Sequence, residues 1–380
     1  MRSCEQGFEG REKMRILFIG PLPEPVTGMS LACRVFLDGI PNEYPVDVVD
    51  QSKSVFRQGV SSFERVIEVL RILWKVWRKR KQADVIYLTV SVSVAGNVKD
   101  LLIYLLCFSQ LQHMVIHLHG GASVRKTILR EGSLLRGVNA FFLRRLGAVI
   151  VLGETLVGTY SGVVPRGRIQ IVPNFAEDSL FTDVEKIECK FDQPLPMKLL
   201  FLSNLLPGKG YIELVEAFLG LDEKTKALIE VDFAGGFESE KDKKQFLAKV
   251  ALAPQIRYHG TVAGDRKRHL FQQAHVFCLP THYPYEGQPI SILEAYASGC
   301  AVITTDHSGI RDVFRDKVNG FQVAKTSVAD LRRAIERALA EPELLRRMAV
   351  TNLKAAQKNY TTALYRKALS SIIESVARRP

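Results

Sequence analysis

Short apolar runs alternate with amphipathic stretches along the chain, which predicts buried strands followed by covering helices. Arg15–Ile19 is a strand run closed by Gly20-Pro21, and a Pro/Gly loop then leads through Gly28 to a helix from about Ser30 to Leu37. Further strands are expected at Val46–Val49, Val85–Thr89, Met114–Leu118, Val149–Leu152 and Ile169–Val172, with helices at Val98–Phe108 and Leu134–Leu146. The stretch Phe191–Lys198, with Pro194 and Pro196, breaks the period and reads as a linker. A second set of strands follows at Leu199–Ser203, Glu230–Ala234, Ile256–His259, Val276–Leu279, Ala301–Thr305 and Gly320–Val323. Helices near Tyr211–Leu219, Lys241–Val250, Arg266–Ala274 and Ile290–Ser298 separate these strands, and Ala329–Val376 is almost wholly helical in pattern. The expected fold class is α/β: two facing, Rossmann-like doubly wound domains with parallel sheets. Strand C-terminal ends of both domains then border one cleft suited to a small molecule.

Length agrees with two domains, because 380 residues exceed what one core usually holds. An apolar content of 47% and a charged content of 24% are those of a globular chain, not a disordered one. The six cysteines, Cys4, Cys33, Cys107, Cys189, Cys278 and Cys300, form no C-x-x-C pair. Their scatter argues against a disulfide scaffold or zinc site and suits a reducing cytoplasm. Residues 1–13 are charged and lack a signal-type apolar stretch, so they are expected to be a disordered leader, with Met14 as the natural start. The longest apolar run, Leu101–Phe108, is far short of a membrane span.

The window Pro284-Tyr-Glu-Gly-Gln-Pro-Ile-Ser-Ile-Leu-Glu-Ala-Tyr-Ala-Ser-Gly299 carries the most chemistry. It follows a predicted strand; Gly287 permits a tight backbone, Pro289 suits a helix start and Gly299 a helix stop. The free amides near Ile290 and Ser291, with the helix dipole behind them, form a phosphate-binding arrangement. Glu286 stands in the loop before them and Glu294 about one turn into the helix. Two more segments stand at strand ends: Phe201-Leu-Ser-Asn-Leu-Leu-Pro-Gly-Lys-Gly-Tyr211 and Val115-Ile-His-Leu-His-Gly-Gly121. Lys209 lies between two glycines before a helix. His119 lies beside paired glycines, and His117 shares its face of the strand. The Gly20–Gly28 loop is not a G-x-G-x-x-G fingerprint.

Glu286 and Glu294, with seven residues between them, resemble the E-x7-E motif of retaining GT-B glycosyltransferases. The Ala-Tyr-Ala-Ser-Gly-Cys-Ala-Val-Ile continuation resembles that of glycosyltransferase family 4. The resemblance implies the GT-B fold and transfer of a sugar from a nucleotide-diphosphate sugar, the co-substrate, with no cofactor and no metal. By the same resemblance Glu286 contacts the transferred sugar, Glu294 the ribose and Lys209 the diphosphate, while His119 lies near the reacting carbon. Asn204 stands where the family usually has an arginine, and Ser203 replaces a glycine. Gly28, Gly235, Val262, Gly287, Ile290 and Ser291 match further donor-lining positions. Val172-Pro-Asn-Phe resembles the join between domains, and Ser308-Gly-Ile-Arg-Asp312 a G-G-x-x-E turn. The implied layout is an acceptor-binding domain over 14–190, a nucleotide-sugar-binding domain over 197–357, and a helix over about 358–380 that crosses back. The acceptor class is a glycan or lipid-linked hydroxyl, in polysaccharide or glycolipid assembly. A sugar-nucleotide epimerase, or a catalytically silent nucleotide-sugar-binding partner of another transferase, are the competing readings.

Net charge is +12, and Arg65–Lys81 alone carries seven basic residues against one acid. Val66, Val69, Leu70, Leu73, Val76 and Trp77 recur there at helical spacing. Two readings stand side by side: an interfacial helix on an anionic membrane surface, or a core-packing helix with a solvated basic end. No aromatic platform or recognised module points to nucleic acid.

Overall fold

The computed structural model describes residues 14–52, 62–121 and 123–379. The expected leader, residues 1–13, and Cys4 within it lie outside them.

In the first half, β1 (Ile16–Gly20), α1 (Gly28–Leu37), β2 (Val46–Asp50), α2 (Ser62–Lys79), β3 (Val85–Thr89), α3 (Val94–Leu106) and β4 (Met114–Leu118) follow in order. Then come α4 (Ser123–Thr127), α5 (Leu134–Leu143), β5 (Ala148–Val151), α6 (Glu154–Val157), β6 (Ile169–Ile171) and α7 (Val184–Asp192). The second half runs β7 (Met197–Leu202), α8 (Tyr211–Leu219), α9 (Glu223–Lys226), β8 (Ile229–Ala234), α10 (Glu240–Val250), β9 (Ile256–Tyr258) and α11 (Gly264–Gln273). It closes with β10 (Val276–Leu279), α12 (Ile290–Ala297), β11 (Ala301–Thr305), β12 (Gly320–Val323), α13 (Val328–Ala340), α14 (Pro342–Asn359) and α15 (Thr362–Ala377).

The strands form two six-stranded sheets, β2-β1-β3-β4-β5-β6 and β12-β11-β10-β7-β8-β9, paired in parallel throughout. Strands β1, β3, β4, β5, β10 and β11 are buried along their whole length, as a parallel sheet covered on both faces requires. Strand order reverses between β1 and β3 and between β10 and β7. The loops leaving these strands therefore diverge and open a crevice at their C-terminal ends.

Two apolar layers flank the first sheet. One contains Ile72 and Val76 of α2, Ile103 of α3 and Leu143 of α5. The other joins Phe18 and Tyr87 to Tyr365, Leu369, Ile373 and Val376 of α15. The last helix thus crosses from the second half to cover the first sheet, and Arg366 Nε fixes it by donating to the Val35 carbonyl at 3.0 Å.

Packing moves the domain boundary from where the sequence pattern suggests. Ala176, Leu180, Ile187 and Phe191 belong to the apolar core of the second sheet, not the first. The chain therefore changes domain at Val172–Phe175, and Phe191–Lys198 connects α7 to β7 within the second domain. The prolines end the helical period there, but Phe191 and Met197 are buried on either side of them. Among the described residues no helix is long and apolar enough to cross a membrane.

Candidate active site

Both strand-order reversals carry the sequence-selected loops. Lys209 lies after β7 and Glu286 after β10, the two strands that meet at the reversal of the second sheet. Gly208 and Gly210 have φ values of 89° and 87°, in the left-handed region that favours glycine. This backbone folds the loop onto the next one: the Gly208 carbonyl accepts from His282 N at 2.7 Å. Lys209 Nζ then reaches Glu286 Oε2 at 2.8 Å, and Thr281 Oγ1 donates to the same oxygen at 3.0 Å. The side chains of Lys209 and Glu286 are only 12% and 7% exposed, so the pair is shielded and geometrically fixed. Lys209 Nζ also lies 4.9 Å from the centre of the Tyr283 ring.

The opposite wall comes from the first domain. His119 follows β4, its ring 3.9 Å from that of His117 between centroids. Tyr87 Oη and His117 Nδ1 share a 2.7 Å hydrogen bond, which ties His117 into the sheet. Both ring nitrogens of His119 are shielded, and neither has a hydrogen-bond partner among the described residues. Burial pushes the His119 imidazole down to about 3, and burial followed by His119 itself pushes His117 well below its usual range. Both rings are neutral at physiological pH, so a ligand placed there meets polar groups without a fixed charge. His117 is anchored to Tyr87 through Nδ1 and keeps Nε2 without a partner among the described residues, whereas both nitrogens of His119 lack one.

Glycines bring the two walls together. A Cβ on Gly121 would overlap the Glu286 carbonyl oxygen, and one on Gly287 would overlap the His119 carbonyl oxygen. Gly121 N donates to the Tyr285 carbonyl at 3.3 Å, and Ser308 Oγ to the Glu286 carbonyl at 2.6 Å. Gln288 completes the junction. Its Oε1 accepts from Asn174 N at 2.7 Å, its carbonyl accepts from Asn174 Nδ2 at 2.8 Å, and its Nε2 donates to the Leu152 carbonyl at 3.1 Å. The Asn of the inter-domain segment and the glutamate-bearing loop thus form one buried unit.

Glu294 occupies a separate part of the cleft wall. It is 1% exposed, and its Oε1 accepts from Lys267 Nζ at 2.6 Å; the same ammonium reaches Glu177 Oε1 at 2.6 Å. Burial pulls Lys267 down, but Glu294 and Glu177 outweigh it and hold the ammonium above its ordinary range. Burial raises the Glu294 carboxyl, with Lys267 opposing.

The remaining sequence-selected positions separate into backbone and side-chain contributors. Gly235, with φ of 143°, lets its backbone approach the Ser203 carbonyl, beside Asn204 at the ends of β7 and β8. Val262 is half-buried against the second core. Ile290 turns its side chain into the first-domain cluster, 3.8 Å from a Cβ placed on Gly28, so only its backbone faces the loop. Ser291 is half-buried in the first turn of α12. Asp312 accepts from Thr155 N at 3.1 Å and Thr155 Oγ1 at 2.5 Å, which makes it a latch to the first turn of α6. Lys267, Thr281 and Gln288 escape sequence reasoning. Gln288 lies inside the selected window, yet only tertiary packing shows that it joins the domains. Among the described residues no group of three or more His, Cys, Asp or Glu is placed to hold a metal ion.

The family model described as "Glycosyl transferases group 1" matches residues 189–354. A D-inositol 3-phosphate glycosyltransferase from Streptomyces griseus is 25% identical over 201 residues, covering 51% of this chain and 42% of the relative. A lipopolysaccharide 1,2-N-acetylglucosaminetransferase from Salmonella typhimurium is 25% identical over 208 residues, covering 51% of this chain and 54% of the relative. The chain thus spans only about half the length of these curated relatives. HepE of Anabaena, solved with UDP and glucose, superposes with a TM-score of 0.72 at 15% identity, over 95% of this chain and 100% of that one. The chain carries the GT-B fold, and its residues 189–354 match the model of the glycosyl transferases of group 1.

Proposed function

We propose that this protein transfers a sugar from a nucleoside-diphosphate sugar to a hydroxyl of a glycan or lipid-linked acceptor, with retention of anomeric configuration. The observation that carries the reading is the shielded Lys209–Glu286 pair across the cleft from the unpartnered nitrogens of His119. In this reading Glu286 and His119 position the sugar. Lys209 and the amides at Ile290 and Ser291 take the diphosphate, and Glu294, held by Lys267, takes the ribose. Gly28 and Gly287 admit the phosphates closely, while Asn204, Gly235 and Val262 line the nucleotide end.

Breaking the bond between the anomeric carbon and the phosphate oxygen leaves a second negative charge on the terminal phosphate of the diphosphate and a cationic sugar. Preorganised positive groups stabilise that charge without reorganisation. Lys209 and the N-terminus of α12 supply them on this chain, so the reaction is expected to run in EDTA. The acceptor hydroxyl forms the new bond on the face the diphosphate leaves, and its proton passes to the departing phosphate oxygen. The UDP held by HepE supports a nucleotide donor, and the Salmonella relative, a lipopolysaccharide 1,2-N-acetylglucosaminetransferase, supports a polysaccharide or glycolipid setting.

A panel of nucleotide sugars tests the reading, with nucleoside diphosphate release and product anomer as readouts. Glu286→Gln and His119→Ala are each expected to lower turnover by about 100- to 1000-fold. Transfer that survives both changes, or an inverted anomer, overturns the assignment. Donor binding by the wild type without any transfer favours a silent partner instead.

A further inference from the structure

A second distinctive surface lies away from the cleft, on the outer side of the first domain. Helices α2, α3 and α5 all send buried side chains into the same apolar layer of the first sheet. They lie side by side: α2 packs on α3 and α3 on α5, and the rings of Phe108 and Phe141 stack at 5.9 Å. Their outward faces therefore form one broad surface and not a groove.

That surface is apolar where a solvated helix face would be polar. On α2, Val66, Leu70, Trp74 and Trp77 are each more than half exposed, while Ile72 and Val76 on another face are buried. On α3, Val94, Val98, Leu102 and Leu105 repeat the same three- and four-residue spacing and are all exposed. On α5, Leu134, Val138 and Phe141 do so again, with Phe108 beside them. Soluble monomers rarely gather this much contiguous apolar surface without a partner for it.

Charge identifies the partner. Residues 65–145 hold fourteen basic and four acidic side chains, so ten of the twelve excess positive charges of the chain fall in this segment. Arg71, Lys75 and Arg78 are exposed and flank the apolar stripe of α2. Arginines also cover the aromatic rings: Arg78 lies 4.9 Å from the Trp74 ring centre, Arg80 5.6 Å from that of Trp77, and Arg145 4.0 Å from that of Phe141. Apolar side chains with amphipathic tryptophans inside a basic surround match the boundary between acyl chains and anionic headgroups.

We infer that the outer face of α2, α3 and α5 is a docking surface for an anionic lipid bilayer, into which Leu70, Trp74, Trp77, Leu102 and Phe141 insert. The inference does not depend on the donor chemistry, since these side chains lie on a different surface. It replaces the either-or reading of Arg65–Lys81: α2 packs on the core through Ile72 and Val76, and presents its second apolar stripe outward together with two neighbours.

Trp74 and Trp77 are the only tryptophans of the chain, so intrinsic fluorescence reports on this face alone. The full chain is mixed with vesicles of phosphatidylcholine, with or without phosphatidylglycerol, and followed by emission and co-sedimentation. Emission is expected to shift to shorter wavelength only with the anionic vesicles. Binding should weaken as salt rises from about 0.1 M to about 1 M, which shortens screening from about 10 Å to about 3 Å. The double variant Leu70→Glu, Leu102→Glu should lower vesicle partition at least about tenfold, with unchanged Tm and unchanged nucleotide-sugar affinity. Absence of binding to anionic vesicles at low salt, or equal binding by the double variant, overturns the proposal. So does a lipid-free, concentration-dependent emission shift with self-association, which assigns the face to a second copy of the chain.

Discussion

His119 shows how much one residue's surroundings decide. Its ring is packed against His117 at 3.9 Å and its nitrogens have no partner among the described residues, so protonation would bury an unpaired charge. The folded imidazole titrates at about 3 against 6.5 for the free side chain. Between those values the unfolded chain binds a proton that the folded chain does not, so stability from this site falls as pH falls from about 6.5 toward 3. Wild type should therefore lose stability relative to His119→Asn over that window, by up to about 1.4 kcal/mol per pH unit, and keep a constant difference above pH 7. Denaturation midpoints of the two proteins at pH 7, 5.5 and 4.5 measure this; a difference that stays constant down to pH 4.5 contradicts a neutral, buried His119. Lys267 is the converse case. Two carboxylates keep it charged in the interior, and without it Glu294 would lose the ammonium that pairs with it.

At the scale of elements, the loops bearing His119 and Glu286 are held by backbone as much as by side chains. The loop after β4 and the loop before α12 meet at Gly121 and Gly287, where each glycine faces a carbonyl oxygen of the other domain. Any side chain there must push the loops apart and move His119 away from Glu286. A misplacement near 1 Å in such a site costs about 100-fold in rate. Gly121→Ala and Gly287→Ala should accordingly lower turnover about 100-fold while nucleotide affinity changes only a few-fold, since Lys209 and Glu294 stay on the second domain. Turnover and nucleotide binding measured side by side decide this; wild-type turnover in both variants would show that the close approach is not needed. The Asp312–Thr155 contact belongs to the same seam and explains why an acidic residue ends that turn.

For the molecule as a whole, the last helix makes the first domain depend on residues that follow the second. Leu369 is fully buried beneath the first sheet, in the cluster that holds Phe18 and Tyr87. Leu369→Ala removes buried atoms and leaves a cavity, an effect of about 2–5 kcal/mol. Hydrogen exchange should accelerate in β1 and β3 and stay unchanged in β7, β10 and β11. Acceleration confined to the second sheet would show that α15 belongs to that domain energetically.

Element types and most strand positions were legible because parallel strands are continuously apolar and their helices amphipathic, both local properties of the chain. β3, β4, β10, β11 and β12 fall where the pattern places them, and the helix after Pro289 begins as the Gly-Gln-Pro spacing predicts. Lys209, Glu286 and His119 stood out as charged or imidazole groups beside glycines at strand ends, whereas Glu294 was singled out by the resemblance to the E-x7-E motif. Tertiary structure alone decided what these groups touch. Lys267 looks like any helix-surface lysine until α11 is laid beside α12, and Gln288 until the domains meet. Residues 176–192 change domain because Ile187 and Phe191 find their apolar neighbours there, a choice that depends on contacts far apart in sequence. The same holds for the basic segment. Its helical period is local, but that one stripe is buried and another left outward beside two more apolar faces follows only from how three helices share one sheet.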